Sequence, residues 1–288
     1  LFSGMDKYRW GFFPSASVAW RISNENFMKS ADFLNDLKIR ASVGMLGNDG
    51  VPEYAFLSTY SRYGQKVGYR MVDGSAAFNP AYKPDVVPSL NLSWERYLSY
   101  NVGFDATLWD GLLGMEVDGF YNYTYEILTG QGSGFPASMG GYYPTYINYP
   151  AIDAKGVDLM VTHKNQFSLG GKPFFYGVSA SLTYSKTRWI KYKDNPEVSD
   201  NRKIVGKTYG SITGWKTDGL FRSEEEIDNS AWWGSRPNVG DIKFVDINGD
   251  GKIDYDDWGY FGRSNRPELT FGLNLNFEWN GFDFNAQF

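Results

Sequence analysis

Apolar residues recur at every second position along most of this chain, the period of a β-strand that is greasy on one face and polar on the other. Trp10, Phe12, Ala16, Val18, Trp20 and Ile22 share one parity, and Gly11, Ser15, Ser17 and Arg21 the other. Leu37, Ile39, Ala41, Val43 and Met45 oppose Lys38, Arg40, Ser42 and Gly44. A third segment sets Leu98, Tyr100, Val102, Phe104, Ala106 and Leu108 against Ser99, Asn101, Gly103, Asp105 and Thr107. A fourth sets Leu113, Met115, Val117, Tyr121, Tyr123 and Tyr125 against Glu116, Asp118, Asn122 and Thr124. Val157, Leu159 and Val161 mark a fifth, and Tyr176, Val178, Ala180, Leu182 and Tyr184 a sixth. Leu269, Phe271, Leu273, Leu275, Phe277 and Trp279 form a seventh, which turns at Asn280-Gly281 into an eighth. A one-residue slip in the second segment would carry lysine and arginine into the greasy layer, so the register is strongly specified.

The connections alternate in length. Residues 24–36, Asp110-Gly111, about 167–173 and Asn280-Gly281 are short, whereas 49–94, 129–152 and 191–267 are long. Short turns on one side and long loops on the other is the pattern of an outer-membrane barrel, with the short side toward the periplasm. The strand-like piece from Ile212 to Phe221 is then expected to stay out of the membrane, because one more crossing would put every later turn on the wrong side. Trp10 and Trp20 share a parity ten residues apart, which at ordinary rise and tilt spans roughly 25 Å, the separation of two aromatic girdles. A soluble β-sandwich also alternates, but runs this long and loops of this size are unusual there. The expected fold is all-β: a transmembrane antiparallel β-barrel with long extracellular loops, of which this chain supplies about eight strands.

Composition sharpens this picture. Aromatics make up 18% of 288 residues, yet no stretch approaches the roughly 18 consecutive apolar residues of a membrane-spanning helix. If the protein crosses a membrane, it crosses as strands. The formal net charge of −5 argues against a nucleic-acid partner, which needs a basic face. The absence of cysteine removes disulfides, thiolate metal sites and thiol nucleophiles. The opening LFSGMDKYRW has neither the basic nor the apolar region of a signal peptide and reads as a mature or internal segment.

Several stretches, taken together and in order, resemble a known family. FFPSASVAWRISNENFMKS followed by LNDLKIRASVGMLGN resembles the barrel opening of the SusC/RagA family of TonB-dependent outer-membrane transporters. WERYLSYNVGFDATLWDGLLGMEVDGFYNYTYEIL, NYPAIDAKGVDLMVTHKN, ITGWKTDGLF and the final GDIKFVDINGDGKIDYDDWGYFGRSNRPELTFGLNLNFEWNGFDFNAQF continue the resemblance. It implies a plugged barrel of about 22 strands. On that reading residues 1–288 are part of the TonB-dependent receptor barrel domain, with the plug and closing strands lying outside them. The resemblance further implies an outer-membrane location in a Gram-negative bacterium, a SusD-like surface lipoprotein as partner, energy passed from TonB through the missing N-terminal part, and import of oligosaccharides or peptides. A passive porin and a surface-binding or adhesion barrel are the alternatives, because the wall residues alone fit all three.

One local motif suggests a ligand. Asp246, Asn248, Asp250, Asp254 and Asp257 fall at positions 1, 3, 5, 9 and 12 of an EF-hand-type loop, with Gly251 at 6 and the Lys252 carbonyl at 7. Calcium, Ca²⁺, is the expected ion, bracing an extracellular loop. Asp257 departs from the usual bidentate glutamate. The alternative is an Asx-rich turn that binds nothing. Tyr142, Tyr143 and Tyr146 in one long loop, and Trp232 and Trp233 in another, are candidate ligand or partner contacts, through stacking on sugar rings or against a lipoprotein. Packing of the loops on themselves is the plainer reading. Arg21, Lys38, Arg40, Asp105, Glu116, Asp118, Asp158 and Glu278 are expected to face the lumen. Glu224-Glu225-Glu226 reads as a solvated run or the first turn of a short helix. Catalysis has little to stand on: the one histidine, His163, falls on the lipid-facing parity, away from any pocket a nucleophilic triad would need.

Overall fold

The structure, a computed structural model, describes residues 9–51, 53, 55–70, 76–130, 143–144 and 146–288. Tyr142 lies outside the described residues. The chain forms two compact units, one of Leu1–Phe13, Leu46–Tyr97 and Thr124–Ala151 and one of Pro14–Met45, Leu98–Tyr123 and Ile152–Phe288.

Among the described residues, sixteen strands, two short 3-10 turns at Ile22–Asn24 and Asn26–Met28, and one short α-helix follow in chain order. The first are β1 (Ser15–Arg21), β2 (Leu34–Asn48), β3 (Thr59–Arg70) and β4 (Ala76–Val86). Then come β5 (Glu95–Leu108), β6 (Leu113–Tyr125), β7 (Leu128–Gly130) and β8 (Tyr146–Asn148). β9 (Ala151–Leu169) and β10 (Lys172–Lys191) are the longest. β11 (Ser211–Trp215), β12 (Thr217–Leu220), the helix α1 (Glu224–Asp228), β13 (Ile242–Phe244) and β14 (Trp258–Ser264) lie between them and the last pair. That pair is β15 (Leu269–Trp279) and β16 (Phe282–Gln287). Eight strands make one sheet in the order β1-β2-β5-β6-β9-β10-β15-β16. They are the eight segments that alternate.

The register sets apolar side chains across from apolar ones on one face. Val18 lies across from Ala41 and Trp20 from Ile39; Tyr176, Val178 and Leu182 meet Phe277, Leu275 and Phe271. On the other face Ser179 meets Asn274 and Thr183 meets Thr270. Many of the apolar side chains are exposed, Val102 to 60% and Phe271 to 79%. A face this greasy and this open is suited to lipid rather than water.

Three tight turns close hairpins with the left-handed backbone that a two-residue loop demands. Asp110 and Gly111 have φ of 53° and 83°, Gly170 and Gly171 of 61° and 75°, and Asn280 and Gly281 of 51° and 87°. The β9–β10 connection is therefore tighter than the 167–173 segment expected. The first strand begins at Ser15, not at Trp10, because Pro14 offers no N–H to the ladder, although its carbonyl still accepts from Met45 N at 2.9 Å. Trp10 and Phe12 stand ahead of the strand, 86% and 85% exposed, so their alternation does not measure a membrane crossing.

The long connections carry structure of their own. β3 pairs with β4, β7 with β8, β11 with β14 and β12 with β13, each as a separate two-stranded sheet. The 212–221 segment falls in β11 and β12, outside the large sheet, as turn parity requires. In the first unit a small core forms around Val51 and Leu92, with Ala55, Trp94, Leu128 and Tyr146 packed on it.

Candidate functional site

The polar face of the sheet carries an ion network that spans three neighbouring strands. Arg40 on β2 holds Asp105 on β5 at 2.6 Å and Asp118 on β6 at 3.0 Å, and Lys38 lies 3.6 Å from Asp105. Gly103 makes this possible. A Cβ there would run into the Asp118 carboxylate and the Val117 carbonyl, so the bare glycine lets Asp118 cross the β5 backbone toward Arg40. Arg21 pairs with Asp36 at 3.2 Å, while Glu278 faces Asp283 across β15 and β16. Near the Trp109–Leu112 turn, Lys164, Gln166, Asn276 and Glu278 help line a recess of about 1000 Å³. Of the expected lumen charges, the structure joins Lys38, Arg40, Asp105 and Asp118 into one cluster and leaves the rest dispersed. His163 stacks on Tyr176 at 5.5 Å, and Tyr176 lies across from Phe277, so the imidazole sits on the apolar face as parity demands.

In the 191–267 loop the Asp/Asn/Gly motif folds into a compact knot of carboxylate-to-amide bonds. Asp246 accepts from the amides of Gly249 and Gly251 at 2.6 and 2.7 Å, and Asp250 from Lys252 N at 2.9 Å. Gly249 and Gly251 have φ of 76° and 81°, values that glycine supplies without strain. Asp257 is fully buried, and its oxygens accept from Ile247 N at 2.7 Å and Asp254 N at 2.9 Å, tying the start of the loop to its end. Among the described residues no group of three or more acidic, histidine or cysteine side chains is gathered as a metal cluster.

Beside this loop Trp215 packs on Trp233 at 4.8 Å and Tyr255 at 5.7 Å, and its indole N–H donates to the Asp254 carbonyl at 2.7 Å. Trp232 and Trp233 also border a groove of about 450 Å³ with Phe221, Arg236, Asn238 and Asp241. Arg236 is held by Glu224 and Asp228 at 2.8 and 2.7 Å. The acidic run is the first turn of α1, with Ser223 as its cap. The Glu226 carboxyl, accepting from Arg222 N–H and Lys243, is held below the usual carboxylate range, and Lys243 above the usual amine range by Glu226. In the other long loop Tyr146 packs on the Val51–Leu92 core, and Tyr143 adjoins Pro144, which bridges to Val87.

The description "TonB dependent receptor-like, beta-barrel" matches residues 2–288. The chain belongs to that family. Relatives include TonB-dependent receptor P26 of Formosa agariphila, 28% identical over all of this chain and 28% of its own length. TonB-dependent receptor SusC of Bacteroides thetaiotaomicron is 24% identical over 96% of this chain and 27% of its own. Two solved structures share the fold. The RagAB peptide transporter matches 96% of this chain and 28% of its own at 18% identity, with a TM-score of 0.68. The RagAB peptide importer in its open-open state matches 98% and 28% at 19% identity, with a TM-score of 0.70. The chain thus spans a little over a quarter of the relatives' length. As in these TonB-dependent barrels, the chain is all-β, and receptors of the family are not enzymes.

Sequence pattern missed three features of this TonB-dependent receptor segment. The β3–β4 hairpin escaped notice because its residues do not alternate cleanly. Trp215, Phe244 and Tyr255 are scattered in sequence and meet only in the folded loop. Gly103 looked like one more small residue on a polar face.

Proposed function

We propose that this chain is part of the barrel wall of an outer-membrane, TonB-dependent nutrient importer of the SusC type in a Gram-negative bacterium, working with a SusD-like surface lipoprotein. The observation that carries the reading is one sheet of sequentially joined hairpins with an exposed apolar face and an ion-laced polar face, in a chain matched to the receptor family over residues 2–288. SusC and the RagAB peptide importer among its likenesses favour import over passive diffusion, with an oligosaccharide or a peptide as cargo. The long loops would meet the lipoprotein; Trp232, Trp233, Tyr143 and Tyr146 are the residues we assign to ligand or partner contact. Uptake of labelled oligosaccharides and peptides by cells with and without the full-length gene tests this. Uptake should depend on the gene and stop when the proton-motive force is collapsed; uptake that survives collapse would make the protein a porin.

For the 246–257 loop we propose calcium as a structural ion, held by Asp246, Asn248, Asp250, Asp254, Asp257 and the Lys252 carbonyl. The support is the oxygen spacing and the glycine-dependent tight turns. Calcium titration of the full-length protein should show saturable binding that Asp250→Ala abolishes, and no binding at millimolar calcium ends the idea.

A further inference from the structure

The apolar face of the sheet changes character abruptly toward its long-loop end. The Thr162–Ser179 hydrogen bond and the close approach of Gly156 to Ser185 set the β9–β10 register, which puts Lys155 across from Lys186 and Asp153 across from Arg188. The Lys164 N–H to Leu112 carbonyl bond and the contact of Gly156 with Phe120 likewise put Tyr121 across from Lys155. Tyr100 and Tyr121 stand side by side with ring centroids 6.4 Å apart, on the register that the Ser99–Asn122 bond defines. One row inward the same face is Val102, Val157, Tyr184 and Leu269. A row without any charge thus gives way, in one step, to two lysines beside two tyrosines, with Arg188 and Asp153 one row beyond.

We propose that Lys155, Lys186 and Arg188 bind the phosphorylated headgroup of an outer-leaflet lipid, seated beside the Tyr100–Tyr121 pair with its acyl chains along the apolar rows below. Two like charges directly opposite on neighbouring strands destabilise a sheet unless something neutralises them. Their own surroundings do not. Lys155 and Arg188 are exposed, and among the described residues neither side chain has an ion pair or hydrogen bond; Lys186 reaches Glu268 only at 3.9 Å. Asp153, the other acid nearby, faces Arg188 without pairing with it. Strands about 4.8 Å apart and residues about 3.3 Å apart along each keep the three cations within reach of one phosphate. Long basic side chains extend from an apolar layer toward the headgroups, and tyrosine favours that same depth. A water-borne anion would have no reason to sit at the rim of an apolar band, so lipid is the occupant.

This inference rests on the outer-membrane reading above. The test uses the full-length protein in detergent, stripped of lipid, with bis-phosphorylated lipid A as probe and native mass spectrometry as readout. The parent should retain the lipid, and K155Q/K186Q/R188Q should bind it roughly a hundredfold more weakly, since each basic residue near an anionic surface contributes about fivefold. K155R/K186R, which keeps the charges, should bind like the parent and guards against a folding defect in the glutamine variant. Equal binding by parent and glutamine variant, or equal binding of dephosphorylated lipid A, overturns the proposal. Displacement of the lipid by millimolar inorganic phosphate alone would assign the site to free phosphate and overturn it too. Protein that inserts into vesicles yet shows no phosphate preference sinks this inference only; protein that never inserts sinks the barrel reading with it.

Discussion

Gly103 shows how much one missing methyl group can decide. The polar face could hold Arg40, Asp105 and Asp118 on three strands without joining them, and the joining depends on Asp118 passing over a residue with no side chain. Gly103→Ala should therefore separate Asp118 from Arg40 and cost about 1–3 kcal/mol through overpacking, read as a lower unfolding midpoint in denaturant, whereas Gly119→Ala, where a Cβ meets only the Val102 carbonyl at 3.8 Å, should cost less. Asp257 is a second residue whose place outweighs its charge. Its buried carboxylate satisfies amides at both ends of the 246–257 loop. Losing it leaves two half-buried amides without their protein acceptor, at a cost of about 1–3 kcal/mol. Hydrogen exchange at Ile247 and Asp254 should accelerate in Asp257→Ala even without calcium, and stay near the parent's in the exposed Lys252→Ala.

Elements explain why the long loops hold a shape. α1 is only Glu224–Asp228, too short to stand by its own propensity. It persists through Ser223, which caps the Glu226 amide at 3.2 Å, and through Glu226, which reaches back to Arg222 N–H at 2.8 Å and across to Lys243 at 2.9 Å. Because the Glu226 carboxyl is held below its ordinary range when folded, its contribution is complete at neutral pH. It declines once the pH drops into the ordinary carboxylate range and is lost as the pH falls through the lowered folded value. Exchange protection of residues 224–229, corrected for intrinsic rate, should weaken on acidification in the parent. In Glu226→Gln it should start lower and change less over the same pH range. The hairpin turns work at this scale too: Asp-Gly, Gly-Gly and Asn-Gly are the pairs that accept two successive positive φ values, and each joins strands of matching twist.

At the scale of the molecule, the two faces of the sheet make opposite demands on substitution. Leu275 lies on the apolar face across from Val178 and Ala286, and Asn276 on the polar face across from Gly177 and Asn285. Leu275→Arg should destabilise the inserted protein by about 2–4 kcal/mol, the cost of a cation near the bilayer midplane. Asn276→Asp, one residue away, should fold and insert normally. Heat-modifiable migration after refolding into vesicles distinguishes the two, and equal yields would refute the assignment of faces.

The eight alternating strands, the face that each of their side chains takes and the Asp110-Gly111 and Asn280-Gly281 turns were legible in the residues, because a period of two with one apolar face fixes the parity and because few residue pairs tolerate positive φ twice. For the acidic run the residues left two readings open, a solvated stretch or a helix start, and the fold makes it the first turn of α1. What lay beyond local pattern needed the fold. Whether Arg40 meets Asp118, whether Lys155 faces Lys186, and whether Trp215, Trp233 and Tyr255 form one cluster depend on which strands are neighbours and how far each is shifted. The first and the last depend on how the long connections close, the second on the two-residue Gly170-Gly171 turn, and alternation along a strand carries no information about any of them. Alternation thus determined a two-faced sheet, and tertiary structure decided which charges on it stand together.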